Sequence, residues 1–309
     1  GFEDSARGKA EIETGVEFNM DDTSVHINAS YNDNKDFNLD GSYLSHDFGN
    51  WSTYVGSVER WWGPGRETTT LLSTNARPMP SIGIRRVEAK PFKSKWLSWM
   101  GEWSGEIFVS KMAQNRHIPK PIFVGMKLAF EPIKNFEIGL ARTLMLCGQG
   151  RACGSKQWIH GLIAFGDLDN TGPAAEQPGN QLAQVDLSYS FSLNEKVDIK
   201  LYGEGTAEDM SIFAPFIYSR LVGASLYGPF GNAGSQWRLT AEASDSTGSK
   251  AWFFGPHRKG TMYNHFIYKS GYRYFDKVIG HSLDSNSQYL SLNAILTQTN
   301  GWEYSAKYQ

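Results

Sequence analysis

Polar and apolar residues alternate along most of this chain, a period of two that indicates β-strands rather than helices. In residues 183–192, AQVDLSYSFS, every second side chain is apolar and those between are polar. The connection LNEK follows, and the alternation then restarts at 197–204; residues 24–32 and 237–244 show the same pattern. The sequence therefore predicts antiparallel hairpins whose strands have one apolar and one polar face.

The length of these strands distinguishes two architectures. Strands of soluble sandwiches usually have about 5 or 6 residues, whereas strands that cross a membrane at a tilt need about 9 to 11. The segments here fit the second figure. Short connections lie at 20–23, 132–135, 193–196 and 231–235, and long polar ones at 110–118, 147–156, 166–180 and 246–262. Short turns at one end and long loops at the other are typical of outer-membrane barrels, so we predict one membrane-spanning antiparallel β-barrel domain over residues 1–309.

Counting the alternating segments gives about seventeen, and since single-chain bacterial barrels use an even number of strands, we predict about 16 to 18. The segments are 8–20, 23–33, 37–47, 50–60, 67–75, 80–91, 95–110, 119–131, 135–146, 155–166, 181–193, 196–208, 215–228, 236–246, 262–275, 286–299 and 302–309. Their polar faces carry Asp, Glu, Lys, Arg and Gln, which predicts a wet or densely ion-paired lumen. The solvated face of a soluble sandwich is the alternative, and strand length and aromatic content argue against it.

Composition supports an all-β protein and argues against several functions. The chain has 18 Phe, 14 Tyr and 10 Trp, so that 14% of its residues are aromatic, and it has 32 Gly. Its 30 basic and 32 acidic side chains nearly balance, and without a basic stripe we expect no nucleic-acid partner. Mean hydropathy is −0.42, and the sequence has no run of about 18 apolar residues that could cross a bilayer as a helix.

Enzyme motifs are weak. The sequence contains neither a GxSxG elbow, nor an HExxH pair, nor a phosphate-binding loop. Its seven histidines fall on separate strands and loops, so we expect neither a metal site nor a cofactor. Paired carboxylates in a barrel lumen could imitate a glycoside hydrolase, which leaves an outer-membrane hydrolase as a third possibility behind binding and transport. We predict that the protein is not an enzyme.

The two cysteines, Cys147 and Cys153, lie close together in LMLCGQGRACGS. Half of a metal site would need further Cys or His residues nearby, and none is close. A disulfide that closes this short loop is the better interpretation, and it places the chain in an oxidising compartment.

Several segments join aromatic rings to polar side chains. SKWLSWMGEWSGE puts Trp96, Trp99 and Trp103 on one predicted strand, where Trp99 and Trp103 share a face. An aromatic girdle at the membrane interface explains these three rings. SAWFFGPHRKG carries Arg258 at a loop tip, and YKSGYRYFDKVIGHSLD carries Tyr272 beside Arg273. Such surroundings suit neutral or acidic sugars, because aromatic faces take the apolar side of a pyranose ring and Arg binds hydroxyls or carboxylates.

The segment ERWWGPGRE, residues 59–67, ends the predicted strand 50–60 with a Gly-Pro-Gly turn. Neighbours on a strand point to opposite faces, so one ring of Trp61 and Trp62 has to face inward or fold over the opening. We predict that Arg60 and Arg66 pair with acids of the lumen and fix a loop that narrows the barrel. A direct contact with sugar is the alternative.

Four blocks together resemble the Wzi family of capsule-assembly outer-membrane proteins. They are RWWGPG at 60–65, LLSTNARPMPSIGIRR at 71–86, ARTLMLCGQGRAC at 141–153 and YRYFDKVIGHSLD at 272–284, in family order. The resemblance implies an outer-membrane barrel of about 18 strands that acts as a lectin for capsular polysaccharide, without catalysis. Since the family also carries a helical region ahead of the barrel, we expect that region and a final closing strand to lie outside residues 1–309.

We therefore predict a non-enzymatic protein of the bacterial outer membrane, with loops facing the cell surface, that binds capsular or extracellular polysaccharide and helps to anchor or assemble it. The alternative is an open diffusion pore for sugars or other solutes; the charged lumen face and the bulky loop at 59–67 favour a plugged lumen. We expect outer-membrane lipids as further partners and a monomeric barrel. The candidates for polysaccharide binding or for the plug are Arg60, Trp61, Trp62, Arg66, Asn75, Arg77, Arg258, Tyr272 and Arg273.

Overall fold

The computed structural model describes residues 10–33, 36–163, 179–211, 214–231, 234–249 and 257–309. Within them, 17 strands form one antiparallel sheet and 2 form a separate small hairpin. The sheet strands are β1 Glu11–Met20, β2 Thr23–Asn32, β3 Phe37–Asn38, β4 Tyr43–Phe48, β5 Trp51–Gly56, β6 Ser81–Arg86, β7 Lys90–Pro91, β8 Glu102–Lys111, β9 Ile122–Ile133, β10 Phe136–Leu146, β11 Gly179–Asn194, β12 Val197–Ser211, β13 Ala214–Phe230, β14 Ser235–Ser249, β15 His257–Arg258, β18 Gln288–Thr297 and β19 Glu303–Tyr308. The hairpin strands are β16 Arg273–Tyr274 and β17 Lys277–Val278, and the helices are α1 Ser155–Ile163 and a 3-10 turn at Ser98–Met100. Neither helical segment in these ranges is long and apolar enough to cross a membrane.

The wall of the barrel is a meander in which each long strand pairs with its neighbours along the chain. For example, β10 pairs with β9 on one side and β11 on the other, and β12 lies between β11 and β13. β14 pairs with β18 across the segment that separates them in sequence. β12, β13 and β14 have 15, 17 and 15 residues. They exceed the roughly 9 to 11 residues that a membrane crossing needs, so they project beyond the bilayer.

The alternation of polar and apolar residues divides the wall as the sequence predicts. On β11, Val185 and Leu187 point outward and are 48% and 40% exposed, whereas Gln184 and Asp186 point inward and are buried. A soluble sheet would bury its apolar face. Here that face is turned outward, as contact with lipid requires. The prediction of an all-β membrane barrel is confirmed.

Connection length distinguishes the two ends of the barrel. Tight turns join β1 to β2, β9 to β10 and β11 to β12. The first two turns contain Asp21 and Asn135, with φ angles of 47° and 66°, a left-handed region that Asp and Asn tolerate. Long connections leave the opposite end. We assign the tight turns to the periplasmic end and the long loops to the extracellular end, as in other outer-membrane barrels. One longer connection, residues 87–101, belongs to the periplasmic end, where Glu88 exchanges two 2.9 Å hydrogen bonds with Asn50.

Three strands predicted from the sequence are wrong. Residues 67–75 and 262–275 run through the lumen with hardly any regular structure, and 155–166 contains α1 instead of a strand. α1 lies outside the barrel, where Trp158 packs on the outward side chains of Leu144 and Leu146. The predicted strand 95–110 begins only at Glu102. Trp96 therefore lies in a loop and Trp99 in the 3-10 turn. The prediction that Trp99 and Trp103 share a strand face is wrong.

Candidate functional site

Two segments enter the lumen from the extracellular end, and we call them together the plug: residues 57–80, between β5 and β6, and residues 259–287, between β15 and β18. Hydrogen bonds join them, since the main-chain N–H of Ser73 donates to the Ile279 carbonyl at 2.9 Å and the Asn75 amide donates to the Val278 carbonyl at 2.9 Å. Their buried apolar side chains form one core with the wall. Plug members of this core are Trp62, Leu71, Leu72, Ala76, Met79, Met262, Tyr263, Ile267, Tyr268, Tyr272, Tyr274, Val278 and Ile279. The middle of the lumen is therefore packed with side chains.

Two carboxylates of the wall hold the first plug segment by its main chain. Glu204 accepts the main-chain N–H and the hydroxyl of Thr70 at 2.5 and 2.9 Å, and also the Gln184 amide at 2.8 Å. Glu242 accepts the main-chain N–H of Arg66 and that of Glu67. A segment without regular structure has to find partners for its buried N–H groups, and these acids supply them.

Arg60 is built into the contact between plug and wall. Its Nε forms a salt bridge with Glu106 at 2.8 Å, and its Nη2 donates to the Tyr54 hydroxyl at 2.7 Å and the Ser81 hydroxyl at 2.8 Å. The guanidinium lies over the Phe108 ring, 3.7 Å from its centroid. Glu106 also accepts the indole N–H of Trp62 at 3.2 Å. Arg60 and Trp62 are buried and fully engaged, so the structure places both in the plug.

Trp61 and Arg66 lie at the periplasmic side of the plug. The indole of Trp61 is half-buried and donates to the Gly65 carbonyl at 2.8 Å. It lines a cavity of about 260 Å³ together with Arg85 and Lys127. The predicted pairing of the Arg66 side chain with a lumen acid is not found among the described residues: the side chain is exposed, and the main-chain N–H donates to Glu242 instead. The two tryptophans point different ways as predicted, but not for the predicted reason, because β5 ends at Gly56 and neither residue lies on a strand of the wall.

Three tyrosines fill the second plug segment. Tyr263, Tyr268 and Tyr272 are each 1% exposed or less. Their hydroxyls donate to the Thr70 carbonyl at 2.5 Å, the Cys147 carbonyl at 2.9 Å and the Thr143 hydroxyl at 2.9 Å, in that order. Burial raises the pKa of all three hydroxyls. They act as neutral donors inside the core, and a glycan at the surface does not reach Tyr272.

Arg273 closes the same segment on itself. Its Nε and Nη2 donate to the two carboxylate oxygens of Asp284 at 2.8 and 2.7 Å, a bidentate pair that fixes the loop between them. At the base of this loop, His281 is fully buried and contacts the Ser244 hydroxyl through Nε2 at 2.6 Å. Its Nδ1 accepts the main-chain N–H of Leu283 at 3.1 Å, so the proton of the neutral ring is on Nε2. Burial lowers the pKa of His281 to about 4.

The extracellular face of the plug carries two exposed aromatic rings, each beside a polar group. Phe275 is 52% exposed, and the Arg77 guanidinium lies 4.9 Å from its centroid. Arg77 in turn forms salt bridges with Asp40 at 2.7 Å and Asp36 at 3.3 Å. Phe266 is 60% exposed, and the ring of His265 stacks on it at 4.9 Å. A flat apolar face with hydrogen-bonding groups beside it is the arrangement that pyranose rings favour.

Sequence reasoning missed Arg116, which ties the loop after β8 to the plug. Its Nη1 donates to the Arg273 carbonyl at 2.9 Å and its Nη2 donates to the Gly271 carbonyl at 3.1 Å. Burial lowers the pKa of this guanidinium. Its acceptors are main-chain carbonyls more than 150 residues away, for which no sequence pattern exists.

The remaining predicted positions fall in separate places. Cys147 and Cys153 form the predicted disulfide, which closes the loop that leads into α1. Asn75 and Arg77 lie in the extracellular half of the plug. Arg258 belongs to the two-residue strand β15, and its side chain lies outside the described residues. Within the described ranges, no group of three or more His, Cys, Asp or Glu side chains could hold a metal ion.

The chain is similar to proteins of capsule assembly. A family model for the capsule assembly protein Wzi matches residues 1–309. An uncharacterized 55.8 kDa protein of the Klebsiella pneumoniae cps region is 31% identical over 205 residues, which are 66% of this chain and 40% of that protein. The solved structure of Escherichia coli Wzi, a carbohydrate-binding outer-membrane β-barrel involved in group 1 capsule assembly, is 25% identical and matches with a TM-score of 0.79 over 96% of this chain and 63% of that chain. The chain spans less than two thirds of either relative.

Proposed function

The chain belongs to the Wzi family of capsule assembly proteins and is an outer-membrane β-barrel, and from this premise we propose that it binds capsular or extracellular polysaccharide on the extracellular face of its plug. It thereby helps to anchor or assemble the polysaccharide at the cell surface. The observation that carries this proposal is the pair of exposed rings, Phe266 and Phe275, on a plug whose other aromatic side chains are mostly buried. Exposed apolar surface with polar groups at its rim is typical of ligand-binding faces.

Binding without chemistry fits the placement of the acids. Glu204 and Glu242 are 1% exposed and accept hydrogen bonds from plug donors. A glycan at the extracellular face cannot reach either of them, so they are unavailable as the acid and base of a glycoside hydrolase. We propose a monomeric barrel whose other partners are the lipids around it.

The packed plug favours binding over passage of solutes. Leu71 and Tyr263 are fully buried in the middle of the lumen, where an open pore would carry water. A diffusion pore for sugars would need the plug to leave, which exposes this core. We expect planar bilayers containing the protein to show no steady ion conductance.

Retention on a column of immobilised capsular polysaccharide tests the proposal. We expect the purified barrel to be retained and to elute with free polysaccharide, and the recovered glycan to keep its chain length. Passage through the column without delay would contradict polysaccharide binding. Shortened chains would contradict binding without chemistry, and steady conductance would support the pore.

A further inference from the structure

An apolar groove crosses the lipid-facing side of the wall between β5 and β11. Its volume is about 590 Å³, within the range of ligand sites. Its sides are formed by Trp51, Trp103, Ile107, Leu128, Leu140 and Val185. Gly105 and Ala183 leave the depression between them because they carry little or no side chain. A smooth barrel surface would offer lipid chains no such recess.

A basic and aromatic segment lies at the periplasmic mouth of this groove. We call residues 86–103 the foot. Lys93 and Lys95 are exposed, and neither forms a salt bridge within the ranges that the structure describes. After them in the chain, Trp96 and Trp99 are 87% and 61% exposed. Lysines beside exposed indoles suit the headgroup region of a bilayer, where cations meet phosphates and indoles meet the acyl boundary.

Trp103 connects the foot to the groove. Its ring stacks on Phe92 at 4.4 Å, contacts Trp51 edge-on at 6.0 Å and carries the Arg86 guanidinium at 4.0 Å. Its indole N–H is buried and finds no hydrogen-bond acceptor among the described residues. The Trp103 ring therefore lies where the foot meets the groove and joins the two.

We propose that the foot and the groove form a binding site for one anionic phospholipid of the periplasmic leaflet. Lys93 and Lys95 take the phosphate headgroup, and one acyl chain lies in the groove beside the Trp103 ring. An interfacial aromatic belt explains the exposed Trp96 and Trp99. It does not explain the apolar groove that starts beside Trp103.

The position of the foot selects the lipid. Glu88 of the foot bonds to Asn50 in the tight turn between β4 and β5, which places the foot at the periplasmic end. The leaflet there consists of phospholipids. Besides Lys93 and Lys95, the foot holds Arg86 on the Trp103 ring and Lys90 in a salt bridge with Glu88. The surplus of positive charge favours phosphatidylglycerol over the zwitterionic phosphatidylethanolamine.

Native mass spectrometry of the detergent-purified full chain, with each of these two lipids added in turn, tests the site. We expect one phosphatidylglycerol retained per barrel, in preference to phosphatidylethanolamine with the same acyl chains. The double variant Lys93→Gln/Lys95→Gln should lower retention of phosphatidylglycerol about thirtyfold, because each lysine near an anionic headgroup contributes roughly 1 kcal/mol. The matched control Lys134→Gln/Lys196→Gln removes two exposed lysines from hairpin turns at the same end and should change nothing.

The groove is tested separately. Ala183→Phe fills it and should lower retention of both lipids, whereas Ala241→Phe, at an exposed outward position on β14, should not. If Ala183→Phe fails to show the gel-mobility shift of a folded barrel, Val185→Trp narrows the groove from the same strand.

Equal retention of both lipids by the wild type, or unchanged retention in the lysine variant, would overturn the headgroup site. Unchanged retention in the folded groove variant would overturn the acyl site. None of these variants touches the extracellular face, so polysaccharide binding serves as an independent readout.

Discussion

The carboxylate of Glu204, in the barrel wall, accepts both the main-chain N–H and the side-chain hydroxyl of Thr70, in the plug, at 2.5 and 2.9 Å. The two residues are 134 positions apart in the chain. Both are at most 1% exposed, so water cannot replace either bond. This contact fixes the plug at the middle of the lumen, together with the hydrogen bonds that Glu242 accepts from the main chain of the same segment.

Glu204→Ala should loosen the plug without unfolding the wall. It leaves buried donors of Thr70 and Gln184 without an acceptor, which costs about 3 kcal/mol. We expect a lower urea midpoint in lipid vesicles and transient conductance events in planar bilayers, which the wild type lacks. Glu195→Ala, in an exposed turn between β11 and β12, is the control and should behave as the wild type.

Arg60→Ala should be among the most destabilising substitutions in the plug. Removing one partner of a buried ion pair costs about 3–5 kcal/mol, and we expect the lower end of this range, because Glu106 is 16% exposed and keeps the Tyr54 and Trp62 donors. Arg60→Lys should recover only part of this loss, since an ammonium cannot reach Glu106, Tyr54 and Ser81 together. Urea titration measures both. Arg85→Ala serves as the control, and equal stability of the Arg60→Ala and Arg85→Ala variants would contradict the role of Arg60.

The stability of the plug should fall in mild acid because of His281. Its pKa in the folded protein is about 4, below the ordinary value of 6.5. Between these two values the unfolded chain binds a proton on this residue and the folded protein does not, so the free energy of unfolding decreases as the pH falls from 6.5 to 4. Above pH 6.5 this contribution is constant. His281→Gln should flatten that part of the pH profile, whereas His117→Gln, at an exposed position, should leave it unchanged.

Loss of the disulfide should release the loop that leads into α1. Cys147 and Cys153 are 6 positions apart, and closing so short a loop contributes about 2 kcal/mol in the chain-entropy view. The double variant Cys147→Ser/Cys153→Ser should therefore fold, yet be cut by trypsin after Arg151 or Lys156 faster than the wild type. Reduction of the wild type should reproduce the faster cleavage. Cleavage at the same rate in both proteins would show that packing of Trp158 alone holds α1.

The sequence predicts the wall well because the membrane constrains it residue by residue. Every outward side chain of a crossing strand meets lipid and every inward one meets the lumen, so the alternation in 183–192 matches the exposed and buried positions of β11. Tight turns are equally local, since Asp21 and Asn135 stand where a left-handed backbone is needed. Both features require only neighbours in the chain.

The plug lacks such a local signal. Residues 67–75 are rich in Thr and Leu and suggest a strand, but their N–H groups bond to distant wall acids such as Glu204. Residues 262–275 show aromatic alternation, yet Tyr263 and Phe275 have φ angles of 65° and 48°, which end any strand. The sequence predicts a strand where α1 lies, because the nine residues of α1 are too few to establish a helical period.

The sequence predicts some contacts of the plug. Arg60 joins a lumen acid as the sequence predicts, and the two tryptophans diverge as expected. The sequence does not indicate that Phe266 and Phe275 are exposed. On an irregular segment, the exposure of a ring follows from the packing of the whole plug and not from the spacing of apolar residues along the chain. Their place at the surface could be recognised only in the folded chain.

The most direct test of the account is the affinity of the reconstituted barrel for capsular polysaccharide, measured by titration calorimetry with the double variant Phe266→Ala/Phe275→Ala. Trp96→Ala removes a ring that is 87% exposed at the opposite end and is the matched control. Exposed aromatic contacts contribute about 1 to 2 kcal/mol each, so we predict that the double variant loses tenfold or more in affinity, with an unchanged urea midpoint, and that Trp96→Ala binds as the wild type. Equal affinity of the double variant and the wild type would contradict binding on the extracellular face of the plug.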